Sequence, residues 1–449
     1  MILLIIFNSL LICNINCVRN IYEKTHYWNL FGYDIDGIKY TSDSDFEYNE
    51  GSISFDDVEL KEHEKFLIRK NLVPNHVTFS YDVSIVSIPR TRPGIPFTVN
   101  TMNTFNFNKN DYSPLLRPYP SARVARDIVS VYETAEDGCQ RLWFVDTGYL
   151  DMPGMRKQVA PPRIFAFEKN TKFKIYKGDI SSNVLRGGIT AGLRSLTIDY
   201  IFPCHETFVY ISDDNGNAVI AFSFEIEQYW RIERQSTGGE AWSFPIPQSI
   251  LVYVENVIRH RKSPNETFIH YSNILRSTKI SQRLDRDTSV DLSERDTNPR
   301  GVLYDRNYDN NILFFTNEDR TNLYCWNMDT AMDENNIQFL TGISSDNGFY
   351  ISAINTDGLT FYIMVNRYTG STDDVYNENH INFADYTATI EEMLRNTKCI
   401  QPTNSTYFIN NWRIKIQGSV GSPKYMVKYV TDEYIESQLK GLGEGIERK

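Results

Sequence analysis

Apolar positions along this chain come in short blocks separated by polar turns. Leu142-Trp143-Phe144-Val145 follows Cys139-Gln140-Arg141 and closes on Asp146-Thr147-Gly148. Four consecutive apolar residues stopped by Asp and Gly predict a buried strand entering a tight turn. A second block, residues 163–168 (RIFAFE), follows Pro161-Pro162. Residues 207–224 place two apolar strands around Asp213, Asp214, Asn215 and Gly216; residues 311–327 repeat the pattern and residues 357–368 carry it more faintly. Strand, polar turn and strand, recurring at intervals of roughly 45 to 100 residues, is the sequence form of an antiparallel sheet repeated around an axis.

Between these blocks the pattern varies. Alternation through SYDVSIVSI (80–88) predicts a strand, and Pro89, Pro93 and Pro96 then exclude helix and central-sheet pairing, leaving a rigid loop before a strand at 97–99. SPLLRPY (113–119) repeats the proline-plus-apolar style. Residues 18–70 are weakly patterned and acidic, which predicts a solvated lead-in. Asp43, Asp45, Glu47 and Asn49 lack the Gly and the closing Glu of a calcium loop. Residues 235–300 are the least regular, with one strand at 249–254 and a charged loop at RHRK (259–262). Beyond Cys399 one more strand (412–416) and a charged helical tail (432–440) are expected.

Residues 1–17 read as a leader, because the apolar core at 2–12 is too short to span a bilayer and charge begins near Arg19. Secretion is therefore expected. A net charge of −11 over 449 residues removes the basic field that nucleic acid or an anionic membrane needs, so neither is expected as the main partner. With 28 Tyr and 26 Phe, bulk disorder is excluded.

Cysteine use agrees with an oxidising compartment. Cys13 and Cys17 fall in the leader, leaving Cys139, Cys204, Cys325 and Cys399, an even set with three pairings open. No C-x-x-C pair is present and the seven histidines are scattered, which argues against a metal site. Asn265 (NET) and Asn404 (NST) are glycosylation acceptors for a secreted protein. There is no G-x-S-x-G elbow, H-E-x-x-H pair, phosphate loop or G-x-G-x-x-G, so no catalytic residues are assigned and no cofactor is expected. Asp146, Asp213 and Asp214 end strands and have the chemistry of acid/base groups, but turn formation accounts for them equally well.

Taken together, six segments resemble the yellow / major royal jelly protein family of insects: IVSIPRTRPGIPFTVN (85–100), SPLLRPYP (113–120), IVSVYETAEDGCQRLWFVDTG (128–148), PPRIFAFE (161–168), CHETFVYISDDNGNAVIAFSFEIEQYWRI (204–232) and GVLYDRNYDNNILFFTNEDRTNLYCWN (301–327). They stand in family order and, with Cys399, cover residues 78–400.

The resemblance implies an all-β, six-bladed propeller of four-stranded antiparallel blades over 78–400. It also implies bridges Cys139–Cys204 and Cys325–Cys399; residues 18–77 then form a lead-in partly joining the propeller, and 401–449 an extension that departs from the family pattern. A small aromatic amine or catechol would occupy the central channel, in pigmentation or amine scavenging. The alternatives are a dopachrome-converting isomerase and a structural or nutritive protein without ligand. In amine binders of this family a Thr begins one inner strand, and an Asn followed two residues later by an aromatic ends it. Asn366 and Tyr368 match the second part, with Arg367 between them, and the Thr position falls on Phe349. An ammonium needs an acceptor and a ring needs an aromatic face, and Asn366 and Tyr368 have those chemistries.

Overall fold

The computed structural model describes residues 23–43, 54–55, 58–59, 66–79, 83–103, 113–152, 155–185, 190, 192–200, 207–213, 218–233, 259–263, 266–269, 301–306, 310–316, 320–327, 336–342, 349–356, 359–367 and 376–400. In chain order the strands begin with β1 (Glu23–Trp28), a hairpin of β2 (Tyr33–Ile35) and β3 (Ile38–Tyr40), and a short pair, β4 (Ser54–Phe55) and β5 (Val58–Glu59). The first blade is β6 (His76–Thr78), β7 (Val83–Ser87), β8 (Val99–Asn103) and β9 (Arg117–Pro118). The second is β10 (Thr134–Glu136), β11 (Arg141–Asp146), β14 (Arg163–Glu168) and β15 (Lys174–Asp179), interrupted by the hairpin β12 (Tyr149–Met152) and β13 (Met155–Gln158).

The third blade is β16 (Leu196–Tyr200), β17 (Thr207–Asp213), β18 (Ala218–Ser223) and β19 (Gln228–Glu233). A two-stranded hairpin, β20 (Arg259–Ser263) and β21 (Glu266–Ile269), precedes the fourth blade of β22 (Gly301–Arg306), β23 (Asn310–Thr316), β24 (Asn322–Asn327) and β25 (Ile337–Gly342). The closing blade joins β26 (Phe349–Thr356), β27 (Thr360–Arg367) and β28 (Phe383–Thr389) to β1 from the other end of the chain.

The fold is thus an all-β propeller. The innermost strands follow one another as β6, β10, β16, β20, β22 and β26, and β26 returns to β6. Expectation and structure differ in the number of blades: the described residues form five four-stranded blades, not six. Between the third and fourth blades the described residues continue the ring with a two-stranded hairpin, β20 lying against both β16 and β22. RHRK, expected as a charged loop, is the first strand of that hairpin, with Arg259 opposite Ile269 and Arg261 opposite Thr267. The strands expected at 249–254 and 412–416, the tail at 432–440, and Asn265 and Asn404 lie outside the described residues.

Why the middle of β11, Leu142 to Val145, is apolar on both faces follows from this stacking. A blade has a neighbour on each face, so successive side chains enter different cores. Trp143 and Val145 pack with Ile198, Val209 and Phe222 of the third blade, while Leu142 and Phe144 pack with Ile85 and Val99 of the first. All six residues of β11 are buried. Each such large side chain contributes about 1.5–3 kcal/mol by leaving water.

Within the stretch 18–70, expected as a solvated lead-in, most of residues 26–35 are buried instead. Trp28, Phe31, Tyr33 and Ile35 are fully buried, Phe31 lying 4.8 Å from Phe383 between ring centroids. The hairpin turn explains their placement: Asp36 and Gly37 both take positive φ (51° and 89°), as a tight two-residue turn of this hand requires, and the amide of Gly37 donates to Asp34 Oδ1. At the closure, His26 donates its amide to Asp385 Oδ1 (2.5 Å), and its Nδ1 lies 2.9 Å from Oδ2. Pairing the two ends of the chain in one sheet covers an edge that would otherwise be open.

Cys325 of β24 is bonded to Cys399 with Cα atoms 6.2 Å apart, tying the fourth blade to the segment after the short helix α1 (Ile390–Leu394). Cys139 is also disulfide-bonded. Cys204 lies outside the described residues.

Candidate functional site

Strands alternate in direction within a blade, so the end of each second strand and the start of each first strand lie at one rim of the ring. Ser87, Asp146, Asp213, Thr316 and Arg367 end second strands, and His76, Thr134, Leu196 and Phe349 begin first strands. This rim therefore gathers the turn residues that the sequence singles out, and it surrounds one mouth of the central axis.

Most of its polar groups are committed to structure. Asp146 is fully buried and accepts from the amides of Val129 (3.0 Å), Ser130 (2.8 Å) and Gly148 (3.1 Å). Burial pushes its carboxyl above the usual range, while these amides and the Arg90 guanidinium act the other way. Asp213 accepts from Arg231 Nη1 at 2.7 Å, and that same nitrogen donates to the Val184 carbonyl. Neither carboxylate is poised as a base, so their acid/base reading gives way to the structural one. Asp214 lies outside the described residues. Gly148, at φ +64°, turns the chain where a Cβ would collide with the Ala160 carbonyl oxygen. Among the described residues no group of three or more His, Cys, Asp or Glu could hold a metal, and no helix is long and apolar enough to cross a membrane.

The start of the closing blade is different. Phe349 begins the innermost strand β26, and Asn366 lies near the end of β27, its hairpin partner. They do not bracket a single strand as expected, because the chain turns back between Thr356 and Thr360. In the register, Phe349 faces Arg367 and Tyr350 faces Asn366, so the two pairs lie on opposite faces of the sheet. Phe349 packs toward the fourth blade, alongside Val365 and Ile351. Asn366 shares its face with Met364, on the side of the first blade. The structure thus places Phe349 and Asn366 within one hairpin end without bringing their side chains to one face. Tyr368 lies outside the described residues.

Asn366 is fully buried; its Oδ1 accepts from the Tyr376 hydroxyl at 2.7 Å, and its Nδ2 is buried with no hydrogen-bond partner among the described residues. The Arg367 guanidinium lies 5.0 Å from the Phe349 ring centroid, and its buried Nε also lacks a partner. Arg320, in the turn before β24, accepts the amide of Ile351 on its carbonyl (2.7 Å) and sets its guanidinium 5.9 Å from the Tyr350 ring. Only 4% of Arg320 is exposed. Tyr376 and Arg320 are not singled out by strand periodicity, since neither lies in a strand.

The sequence profile described as major royal jelly protein matches residues 129–243 and 260–399, more than half of the chain. The chain belongs to the yellow / major royal jelly protein family. Among curated relatives within that family, it is similar to L-dopachrome tautomerase yellow-f of Drosophila melanogaster, 26% identical over 58% of this chain and 66% of that protein. It is also similar to yellow-related salivary protein SP04 of Phlebotomus argentipes (23%, over 67% of this chain and 80% of that one). Major royal jelly protein 8 of Apis mellifera is 22% identical over 69% of this chain and 80% of its own length. The chain thus spans just under two thirds of the first of these. Among solved structures, the WD40 repeats of RRP9 align over 71% of this chain and 94% of theirs, at 8% identity and a TM-score of 0.35, too low to compare geometry.

Proposed function

We propose that this protein is a secreted member of its family that holds a small aromatic amine or catechol at the rim where β26 begins, in pigmentation or amine scavenging. The observation that carries this reading is the set of uncommitted polar atoms there. Asn366 Nδ2 and Arg367 Nε are donors, buried and without partners, while Asn366 Oδ1 already accepts from Tyr376. A donor-rich rim beside Phe349 and Tyr350 suits a ring bearing oxygen acceptors, so of the two ligand classes the catechol, or its quinone, is favoured. The test is equilibrium dialysis of the purified protein against dopamine, dopa, serotonin and histamine. Saturable binding of the catechols is expected, and no saturable binding of any of the four at millimolar concentration overturns the reading.

A second reading, isomerisation of dopachrome, is favoured by one observation, the likeness to a relative named for that activity. It requires a positioned base. Loss of dopachrome colour no faster than in a heat-killed control would end it.

The extracellular reading brings two further expectations. Arg141 Nη2 donates to Thr207 Oγ1 at 2.7 Å, which draws the Cys139 turn beside the start of β17, three residues after Cys204 in the sequence, and favours a Cys139–Cys204 bridge. Peptide mapping under non-reducing conditions tests that bridge, and sugar at Asn265 and Asn404 would be found in the same experiment.

A further inference from the structure

We infer that Arg367 forms a carboxylate subsite at this rim, so that the ligand taken is an aromatic acid in preference to the corresponding decarboxylated amine. The inference rests on the reading of the rim as the ligand site and narrows its ligand class.

The chain carries a net charge of −11, and its ring arginines are generally matched by acids. Arg117 pairs with Asp34, Arg141 with Asp137, Arg163 with Asp179 and Arg231 with Asp213. Arg367 departs from this pattern: among the described residues it pairs with no carboxylate, and its Nε is buried without an acceptor. Its guanidinium is nevertheless held in place, 5.0 Å from the face of Phe349, the residue opposite it in the register. A guanidinium oriented by an aromatic ring keeps its planar fork of donors ready for the two oxygens of a carboxylate.

Asn366 Nδ2 is a neutral buried donor at the adjacent residue of β27, on the opposite face from Arg367. A guanidinium with no carboxylate partner among the described residues, its Nε buried, repels an ammonium and attracts an anion, and the attraction is screened less there than at an open surface. The Phe349 ring beside it makes the matching anion one that carries a flat ring.

Three ligands share a catechol ring and differ in charge: dihydrocaffeic acid is an anion, dopa a zwitterion and dopamine a cation. Calorimetry on the full chain at neutral pH and low salt should rank them in that order. The acid should bind about tenfold or more tighter than dopamine, the scale of one charge-assisted hydrogen-bonded contact. Arg367→Gln should collapse this ratio towards unity, and Arg367→Lys should retain part of it, as a point charge without the fork would.

If dopamine binds as tightly as the acid, or if the ratio survives in Arg367→Gln, the subsite is overturned while the rim remains the ligand site. If none of the three binds, both readings fall. Should Arg367→Gln fail to fold, the ranking on the unaltered protein still decides.

Discussion

Arg90 and Asp146 grip the same piece of backbone from its two sides. Arg90 Nη1 donates to the carbonyls of Ile128 (2.6 Å) and Val129 (2.7 Å), while Asp146 accepts from the amides of Val129 and Ser130. The other nitrogens of Arg90 reach the carbonyls of Ile95 (2.9 Å) and Pro96 (2.6 Å) in the proline-rich loop. Thr98 Oγ1 takes the amide of Val131. The connector entering the second blade is therefore buried with its backbone groups satisfied by side chains instead of by a neighbouring strand. Two charges stand in for a ladder.

Replacing Arg90 should accordingly be among the most damaging single changes. Arg90→Ala leaves four carbonyls without donors and Asp146 without its counter-charge, a loss of roughly 3–5 kcal/mol on the scale of broken buried pairs. Arg90→Lys should recover little, because an ammonium cannot reach both Ile95 and Val129 in the geometry of a planar fork. Urea denaturation followed by tryptophan fluorescence measures both, and a midpoint for Arg90→Lys equal to that of the unaltered protein would contradict this account.

The pair also sets a pH dependence. Burial raises the Asp146 carboxyl above its ordinary value and lowers Arg90 to about 10. A carboxyl whose folded pKa lies above its unfolded one contributes stability that is full below the unfolded value and is lost as pH rises through the folded one. The stability advantage of the unaltered protein over Asp146→Asn should therefore shrink from acidic to neutral pH. Arg90 contributes the converse at the alkaline end, with stability lost as pH falls through about 10. Denaturation curves of both proteins across pH give the sign directly, and an advantage that grows toward neutrality would show that the amides and Arg90 outweigh burial.

The bridge between Cys325 and Cys399 closes a span of 74 residues that includes most of the closing blade. Loop entropy assigns such a link about 4 kcal/mol. Cys399→Ser should lower the melting temperature without abolishing the fold, since β1 still pairs with β28 through five residue pairs from Glu23 to Trp28. Calorimetric melting of the variant checks this; an unchanged melting temperature would mean that the strand closure alone holds the ring.

How much of this was legible in the sequence depends on whether partners are near or far. β11 was legible because a strand between two blades must be apolar on both faces, and Leu142 to Val145 says so locally. The proline-rich loop was legible too, since ring closure at Pro89, Pro93 and Pro96 excludes pairing whatever surrounds it. Arg90 in that loop looks like a solvent residue until Ile128 and Val129, some 40 residues on, are placed against it. Trp28 and Phe31 looked like part of an acidic tail because Phe383, against which Phe31 packs, lies at the other end of the chain. The hairpin at Arg259 escaped notice because consecutive basic residues mask strand alternation. At the candidate site the residue types were visible but not their faces, which depend on where the chain turns between Thr356 and Thr360.

The Tyr376 hydroxyl offers a test of that site that touches no charged group. It fixes Asn366 Oδ1 at 2.7 Å, which leaves the amide nitrogen as the atom offered to a ligand. Tyr376→Phe keeps the ring that packs 4.9 Å from Phe383 and removes only the donor. The buried Asn366 amide can then rotate, so its nitrogen is no longer held in one direction. A loss of about 0.5–1.5 kcal/mol in stability is expected from a single neutral hydrogen bond. Catechol affinity should fall further than this stability change alone accounts for, because Tyr376 acts as a positioning residue. Asn366→Ala should lower affinity at least as much, and the double variant should lose no more than Asn366→Ala alone, since both changes act through one nitrogen. Calorimetric titration of the three proteins with dopa would show this non-additivity. Independent, additive losses would mean that Tyr376 and Asn366 serve only the packing between the closing blade and the first.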